Sequence, residues 1–561
     1  MPMKKLLLTL LAPTLALTTS AKDFTYEYEG QTLSYTVISE TDKTCETMGG
    51  APLHPGNNVT GHLIIPEEAN GYTVTAIGAG SFNACYFLES VVLPSSITSI
   101  STGAFSRCQR LTDINIPASV TYICEEAFYN CSSLSEITIP ASVTLIGVNA
   151  FLACTNLCDI SVDSENSNYS SIDGVLFNKD LTTLKTYPEG KMGDYKIPET
   201  VTYIGQGAFE SCVNLTDITI PNGVNFIDDY AFYNCSGLTD LTLPNTVVSL
   251  GECVFEGCSS LKSVTIPNSI TTISWSAFSG CSNLKKVIIP SSVTTIDNYA
   301  FDSCDSLSSI IIPPSVKTIG DKAFFWCESL LKAAYPSSLS NPFKSSVVAV
   351  AYNPQEVTFK GDWIYNNDGT EIVYAPIEES GNYIIPEGVT SIGKQAYGGC
   401  YNMTSITIPD AVTDISDGAF RNCENLTDVI LPAELKTLGP GVFKGDKSLK
   451  NIVLRGEVPV KSDYNNFELP TYTDATLYVP GGSQTLFKDV IPWSYFYKVT
   501  DKPYSSEINQ IVSNNEASVD SIQPYDIYTH TGAFVGKDIK TLTPGFYIIR
   551  QGNLVKKFVV K

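Results

Sequence analysis

Hydrophobic and polar positions repeat every 23 residues along most of this chain. The unit reads A-F-x-x-C-x-x-L-x-x-I-x-I-P-x-x-V-x-x-I, and glycine often follows the last isoleucine. The segment LTDINIP alternates apolar and polar residues over its second half, which predicts a short strand that ends at the proline. The segment SVTYI predicts a second extended run, and AFSRC predicts a short helical or 3-10 turn. The aromatic position marks thirteen units: Phe82, Phe105, Phe128, Phe151, Phe209, Phe232, Phe255, Phe278, Phe301, Phe324, Tyr397, Phe420 and Phe443.

None of these elements is long enough to fold alone, so the repeat predicts a solenoid in which each unit forms one coil. We expect a β-rich solenoid of 23-residue coils, with short parallel strands and short helical or 3-10 turns. Stacked coils add backbone hydrogen bonds between neighbours and close both sides of each coil's core.

Twelve of the sixteen cysteines occupy one position of the repeat, three residues after the aromatic residue. Stacked coils would bring these positions within bridging distance, but parallel Cα–Cβ bonds suit a disulfide poorly. We therefore favour a ladder of buried free thiols, with a bridged ladder as the alternative that an even cysteine count invites. Cys45, Cys124, Cys158 and Cys253 lie off the ladder. The ladder consists of Cys85, Cys108, Cys131, Cys154, Cys212, Cys235, Cys258, Cys281, Cys304, Cys327, Cys400 and Cys423.

Two segments interrupt the repeat, and each carries an Asp-Gly dipeptide between strand-like runs, Asp173-Gly174 and Asp368-Gly369. That dipeptide predicts a hairpin, so we interpret both segments as enlarged coils within one solenoid. The predicted solenoid spans residues 76–455 and contains hairpin-containing coils at 163–197 and 337–385. A signal peptide at 1–21 and an N-terminal β cap at 22–75 precede it. A C-terminal cap at 456–500, a linker at 501–517 and a small β domain for sorting or anchoring at 518–561 follow it.

The opening MPMKKLLLTLLAPTLALTTSA has two lysines, a short apolar core and small residues at its end, which predicts an export signal cleaved after Ala21. No segment has the roughly 18 consecutive apolar residues of a membrane-spanning helix. The formal net charge of −23 makes nucleic acid and anionic lipid surfaces poor partners.

The unit LTDITIPNGVNFIDDYAFYNCSGLTDLTLP, residues 215 to 244, resembles the BspA-type leucine-rich repeat, also called the Treponema pallidum type. The resemblance covers residues 60 to 455 and implies a leucine-rich-repeat solenoid on a bacterial surface, with adhesion to host matrix proteins or other microbes as the usual role. The tail, with PYDIYTHTGAFV, LTPGFYIIR and KKFVVK, is similar to the C-terminal sorting domains of Bacteroidetes type IX secretion. No binding residue is defined by the family motif.

Side chains that could carry catalysis are scarce. The chain has three histidines, lacks H-E-x-x-H, G-x-S-x-G and Walker motifs, and predicts no catalytic, metal or cofactor site. A metal site at His54 and His62 is disfavoured. Asp163, Glu165 and Asp173 resemble a calcium loop but lack its glycine and closing glutamate, so we favour a solvated turn.

Candidate contact residues lie at variable positions of the repeat. Just before the isoleucine of V-x-x-I, the chain places Tyr122, Leu145, Tyr203 and Phe226, where later units have serine or threonine. Stacking would set these four side by side as an exposed contact surface, unless the coil at 163–197 folds over and buries them; both alternatives stay open. A threonine stripe along the other strand favours plain β propensity: Thr138, Thr219, Thr242, Thr265 and Thr407.

We expect a noncatalytic secreted or surface protein, an adhesin that binds a protein or glycan of host or microbial surfaces through the solenoid face. One alternative is a self-assembling structural component of the cell surface. The other is a glycan-degrading enzyme, which the missing motifs disfavour. The oligomeric state is not predicted.

Overall fold

The computed structural model describes residues 22–48, 59–377 and 383–504, together with four strands beyond them. The chain forms two units, Met1–Asp501 and Lys502–Lys561. The predicted signal peptide and His54 lie outside the described residues. In the second unit, the strands Asp526–Thr529, Phe534–Gly536, Gly545–Gln551 and Leu554–Val560 form an antiparallel sheet. The sorting role of this unit remains a prediction.

The first unit is the solenoid that the repeat predicts, with two stacks of short parallel strands. One stack, the proline-side strands, comes from L-x-x-I-x-I-P, and the other, the glycine-side strands, comes from V-x-x-I. Pairing is offset by one repeat, so that Tyr203 pairs with Phe226 and Phe226 with Ser249. Equivalent positions of successive coils therefore lie side by side, which confirms the predicted fold class.

The glycine-side strands are Tyr72–Ile77, Ser99–Ile100, Tyr122–Ile123, Leu145–Ile146, Thr183–Thr186, Tyr203–Ile204, Phe226–Ile227, Ser249–Leu250, Thr272–Ile273, Thr295–Ile296, Thr318–Ile319, Glu371–Tyr374, Ser391–Ile392, Asp414–Ile415 and Thr437–Leu438. The proline-side strands are Gly61–Ile64, Leu88–Val92, Asp113–Ile114, Glu136–Ile139, Asp159–Val162, Gly193–Lys196, Leu215–Thr219, Leu241–Thr242, Ser263–Thr265, Lys286–Ile288, Ser309–Ile311, Lys332–Pro336, Val348–Tyr352, Ser405–Thr407, Asp428–Leu431, Asn451–Leu454, Thr476–Tyr478 and Lys498–Thr500.

Irregular elements extend both ends of the solenoid. Strands Asp23–Tyr28, Gln31–Ser39 and Thr44–Thr47 form an antiparallel meander, whose last strand pairs in parallel with Tyr72–Ile77, and Glu68–Ala69 pairs beside it. At the other end, Phe467 stacks on the last repeat aromatic, Phe443, at 5.3 Å between ring centroids. The surrounding elements are the helix Leu469–Asp474 and the 3-10 turns Tyr464–Asn466, Gln484–Phe487 and Trp493–Tyr495.

The repeat aromatics form a buried column at the centre of the coils. Phe232 is fully buried between Phe209 and Phe255, with ring centroids 4.8 and 5.4 Å away and nearly parallel rings. Such offset stacking adds to the gain from burial. The buried residues form three main clusters, and the divisions between them fall at the two hairpin-containing coils.

Each interruption of the repeat contains a hairpin that joins the glycine-side stack. In the first, Tyr169–Ile172 pairs antiparallel with Val175–Asn178 through Asp173 and Gly174, whose φ values are 50° and 73°. Positive φ at both positions is the geometry that an Asp-Gly turn adopts readily. In the second, Val357–Lys360 pairs with Trp363–Asn366, which pairs with Glu371–Tyr374 around Asp368-Gly369.

The ladder cysteines connect neighbouring coils through hydrogen bonds. All sixteen cysteines are free thiols, and the twelve of the ladder are buried. The Sγ of Cys131 donates to the carbonyl of Phe105 at 3.2 Å, and the Sγ of Cys258 donates likewise to Phe232 at 3.2 Å. A thiol is a small apolar group that still offers a weak donor, so it fits a tight core position facing a carbonyl.

We expect one fast-reacting thiol in the folded protein. Cys158 is exposed and Cys124 is half-buried, whereas burial raises the pKa of Cys327 to about 12 and keeps this thiol protonated. With a chromogenic disulfide reagent at neutral pH, Cys158→Ser should remove the fast phase, and denaturant should release all sixteen thiols without reductant. A lower count in the denatured chain would indicate disulfides.

One lysine is completely buried at the second hairpin-containing coil. Lys332 donates from Nζ to the carbonyl of Ala396 at 2.7 Å and to Sγ of Cys400 at 3.3 Å, and it lies 4.7 Å from the ring centroid of Tyr374. Burial lowers the pKa of this lysine. The side chain connects coils on either side of the hairpin, a role that the repeat pattern does not reveal.

Candidate functional site

The four predicted contact residues form two pairs, one on each side of the first hairpin-containing coil. Tyr122 and Leu145 are partners in the parallel glycine-side stack, and their exposed fractions are 49% and 45%. Tyr203 and Phe226 are partners further along, with ring centroids 6.2 Å apart. Phe226 is 46% exposed, whereas Tyr203 is half-buried. We call these four residues the contact patch.

The inserted coil separates the two pairs without covering them. Parallel pairing ends at Leu145–Ile146 and resumes with Thr183–Thr186 against Tyr203–Ile204. Tyr203 donates from Oη to the carboxylate of Asp228, which holds its ring on the next coil. The four residues therefore do not form one continuous row, and three of them are exposed.

Side chains of the inserted coil replace backbone acceptors for the coil before it. The amide of Ile146 donates to the hydroxyl oxygen of Tyr169 at 2.9 Å, and the amide of Ala153 donates to Oε1 of Glu189 at 2.5 Å. In the preceding coil, the equivalent amide of Asn130 donates to the carbonyl of Leu152. Side chains thus accept the backbone hydrogen bonds at the point where regular stacking of the coils stops.

Imperfect stacking at this point leaves a cavity of about 260 Å³. Its walls come from the coil before the insertion, from the inserted coil and from the coil after it. Its polar lining includes Asn149, Tyr169, Lys185, Glu189, Tyr203, Gln206, Glu210 and Asp228. Tyr203 belongs to both the cavity wall and the contact patch.

Two carboxyl groups in this cavity have raised pKa values. Burial raises the pKa of Glu189 to about 7, although the Ala153 hydrogen bond opposes the shift, and the charge of Glu210 adds to it. Burial also raises the pKa of Glu210 to about 7. Both groups therefore change charge near neutral pH.

A second hollow of about 240 Å³ lies on the other side of Tyr203. Phe226 and the acidic residues Asp228, Asp229 and Glu252 line it. Asp229 accepts a hydrogen bond from the amide of Glu252 at 2.8 Å. The Tyr203 and Phe226 pair of the contact patch is thus flanked by acidic side chains.

The residues considered as metal ligands from the sequence do not form a cluster in the described part of the chain. Asp163 accepts a hydrogen bond from the amide of Glu165 at 2.9 Å, as in a polar turn. The Nδ1 atom of His62 lies 2.6 Å from Oγ of Ser90. In the described ranges, no three histidine, cysteine, aspartate or glutamate side chains are grouped to hold a metal ion. Of the threonine stripe, Thr407 is half-buried and the other four residues are exposed.

An exposed aromatic cluster lies on the turns and was not predicted from the sequence. Trp326 is 61% exposed and has φ 52°, at a position where other coils have glycine or residues such as Asn234. A left-handed conformation costs a bulky L residue about 1–2 kcal/mol. Its ring stacks on Phe325, and Lys322 lies 5.2 Å from the Phe325 ring centroid. Most other coils have glycine, alanine, serine or asparagine at this repeat position, and the departure from them was the available signal.

The short parallel strands, the 23-residue offset and the buried leucine positions define a leucine-rich-repeat solenoid. The model of the BspA type leucine rich repeat region matches residues 75–191, 185–305, 225–349 and 377–468. These matches cover more than half of the chain, which therefore belongs to the BspA-type leucine-rich repeat family. No helix in the described part of the chain has the length and apolar character needed to cross a membrane.

Several solved structures are similar to this chain. A leucine-rich repeat protein from Eubacterium ventriosum is 28% identical, with 57% of this chain and 98% of that chain covered and a TM-score of 0.42. A leucine rich cell surface protein from Faecalibacterium prausnitzii is 25% identical, with 56% and 95% covered and a TM-score of 0.36. A leucine-rich repeat protein from Bacteroides ovatus is 23% identical, with 79% and 100% covered and a TM-score of 0.38. No curated protein matches the sequence.

Proposed function

We propose that this protein is a noncatalytic adhesin of the bacterial cell surface, and that the contact patch beside the first hairpin-containing coil binds a protein or glycan partner. The exposure of Tyr122, Leu145 and Phe226 on a stacked β scaffold carries this proposal. Exposed aromatic and large apolar side chains are common anchors of binding interfaces. Here they stand at a repeat position where most other coils have serine or threonine.

The scaffold supports binding because it holds the patch without a large conformational cost. Tyr122 and Phe226 lie on strands paired to both neighbouring coils, and Ile123 and Ile227 beside them are buried. A side chain on such a rigid element loses little freedom when a partner binds.

Two segments support a location outside the cell. Residues 1–21 have the composition of an export signal, and the segment 518–561 resembles a type IX sorting domain. Both assignments belong to this proposal.

Replacing Tyr122 and Phe226 together by alanine is expected to weaken partner binding at least about tenfold, since anchor residues of this kind dominate binding energy. The melting temperature should change little, because both side chains are about half exposed. The measurement is a binding screen of the full chain against matrix proteins, mucins and glycans, followed by titration of each hit.

The matched control replaces Val92 and Ile288, which are exposed to 51% and 49% on proline-side strands. This control should keep full binding. A large drop in the melting temperature of the patch variant would instead show that the patch is part of the core. Concentration-dependent self-association of the full chain, with no hit in the screen, would favour the structural alternative.

A further inference from the structure

We propose that the cavity beside the first hairpin-containing coil binds a primary ammonium group, such as the lysine side chain of a protein partner. This inference rests on the proposed binding function, because the partner that covers the contact patch would supply the ammonium group. Tyr203 lies in both the patch and the cavity wall, so a single partner segment could reach both.

Glu189 supplies a buried acceptor with spare capacity. Its residue is only 7% exposed, and Oε1 accepts the hydrogen bond from Ala153. Its other oxygen, Oε2, accepts none of the hydrogen bonds found within the described residues and is open to the space of the cavity that the side chain lines. The carboxyl group is partly desolvated, so a charged donor that reaches this open oxygen would be favourable.

Glu210 and Asn149 place further oxygens around the same space. A Cβ built on Gly207 would lie 2.9 Å from Oε2 of Glu210 and 3.5 Å from Oδ1 of Asn149. These two oxygens therefore converge beside the small residue Gly207, whose φ is 61°. Carboxylate and amide oxygens accept hydrogen bonds, and an ammonium group has three donors and no acceptor.

Among the described residues, no cation forms an ion pair with either glutamate. Lys185 lines the cavity, but its side chain is exposed, and none of the ion pairs within the described residues joins it to Glu189 or Glu210. The net charge of −23 also favours the approach of a cationic partner.

The size of the cavity and the number of ligands narrow the ligand class. A volume of about 260 Å³ falls below the range of about 300–1,000 Å³ typical of small-molecule sites, but it holds a single side-chain end. Calcium needs about six to eight oxygen ligands. The described residues contain no grouping of three metal-binding side chains.

Binding should depend on pH with a defined sign. Since burial raises the pKa of Glu189 and Glu210 to about 7, both are partly protonated near neutral pH and become charged as the pH rises. An ammonium group prefers the charged forms, so affinity should increase from pH 6 to pH 8. The other titratable groups lining the cavity are Tyr169, Lys185, Tyr187, Tyr203 and Asp228.

In the test, the full chain is titrated with Nα-acetyl-lysine amide and binding is monitored by NMR. Nα-acetyl-norleucine amide is the matched probe, because it lacks the ammonium group. We expect saturable binding of the lysine probe only, stronger at pH 8 than at pH 6. Glu189→Gln keeps an oxygen for the Ala153 amide but removes the charge, and it should weaken binding at least about tenfold. Glu434→Gln is the matched control, since Glu434 is exposed and lines neither cavity.

Thermal melting shows whether Glu189→Gln folds; if it does not, Glu210→Gln carries the test. Equal binding of both probes, or full binding by the folded cavity variant, would overturn the inference. The combined Tyr122→Ala and Phe226→Ala variant should still bind the lysine probe. If the lysine probe binds but no macromolecular partner does, the ammonium site is supported and the adhesin proposal fails. If a macromolecular partner binds but the probe does not, the adhesin proposal is supported and the ammonium site fails.

Discussion

Replacing Phe232 by alanine is expected to lower the free energy of unfolding by about 3–5 kcal/mol. The ring is fully buried and stacks between two neighbours, and no coil can move inward to fill the space, because each is paired to the coils on both sides. The loss therefore combines the lost burial with a cavity that stays open. Denaturant unfolding followed by circular dichroism measures the change.

The matched control is Phe325→Ala. Phe325 is 40% exposed and lies on the turn, so its removal should cost less than about 1 kcal/mol. Repeat proteins can unfold in parts, so hydrogen exchange should locate the loss near the coils that contain Phe209 and Phe255. Equal effects of the two substitutions would mean that the aromatic column is not the core.

Gly251→Ala is expected to destabilise the solenoid by about 3 kcal/mol through crowding between coils. A methyl group at this position would lie 2.6 Å from Cα of Asp229 in the preceding coil, and closer still to its amide nitrogen. The amide of Gly251 also donates to the carbonyl of Ile227 at 2.9 Å, so the strand cannot move away without losing that bond. The same unfolding measurement applies.

Gly481→Ala tests the same change where space is available. A Cβ at Gly481 would meet no atom within 4 Å, and its φ is not in the left-handed region. We expect no loss of stability there. A comparable loss at both positions would show that crowding between coils is not the cause.

The buried positions of the solenoid were predictable from the sequence because the repeat is short and regular. Phe232 and Cys258 occur at the same places in successive units, and parallel coils offset by one unit must place such residues side by side. The first hairpin was predictable from local chemistry, since Asp173 and Gly174 tolerate positive φ. The hydrogen bond from each ladder thiol to a carbonyl of the preceding coil was not, because it depends on interatomic distances.

Other features depart from the repeat and carry no local signal of their environment. Lys332 occupies an ordinary strand position, yet it is completely buried and donates a hydrogen bond to Ala396, 64 positions away. Glu189 follows a proline as in a turn, yet it caps the amide of Ala153. Trp326 was visible as an exception at its repeat position, but only the structure shows that it is exposed with Lys322 and Phe325 beside it.

The sequence by itself determined the solenoid, its aromatic and cysteine columns and the class of protein, because one pattern repeated at a constant interval leaves stacking as the way to bury every copy. The tertiary structure decided where stacking is interrupted enough to leave a cavity, and which side chains meet there. Glu189 and Glu210 come from different coils, and their shared burial depends on how the inserted coil fits between its neighbours. That fit follows from packing across the interruption, where the regular interval no longer applies.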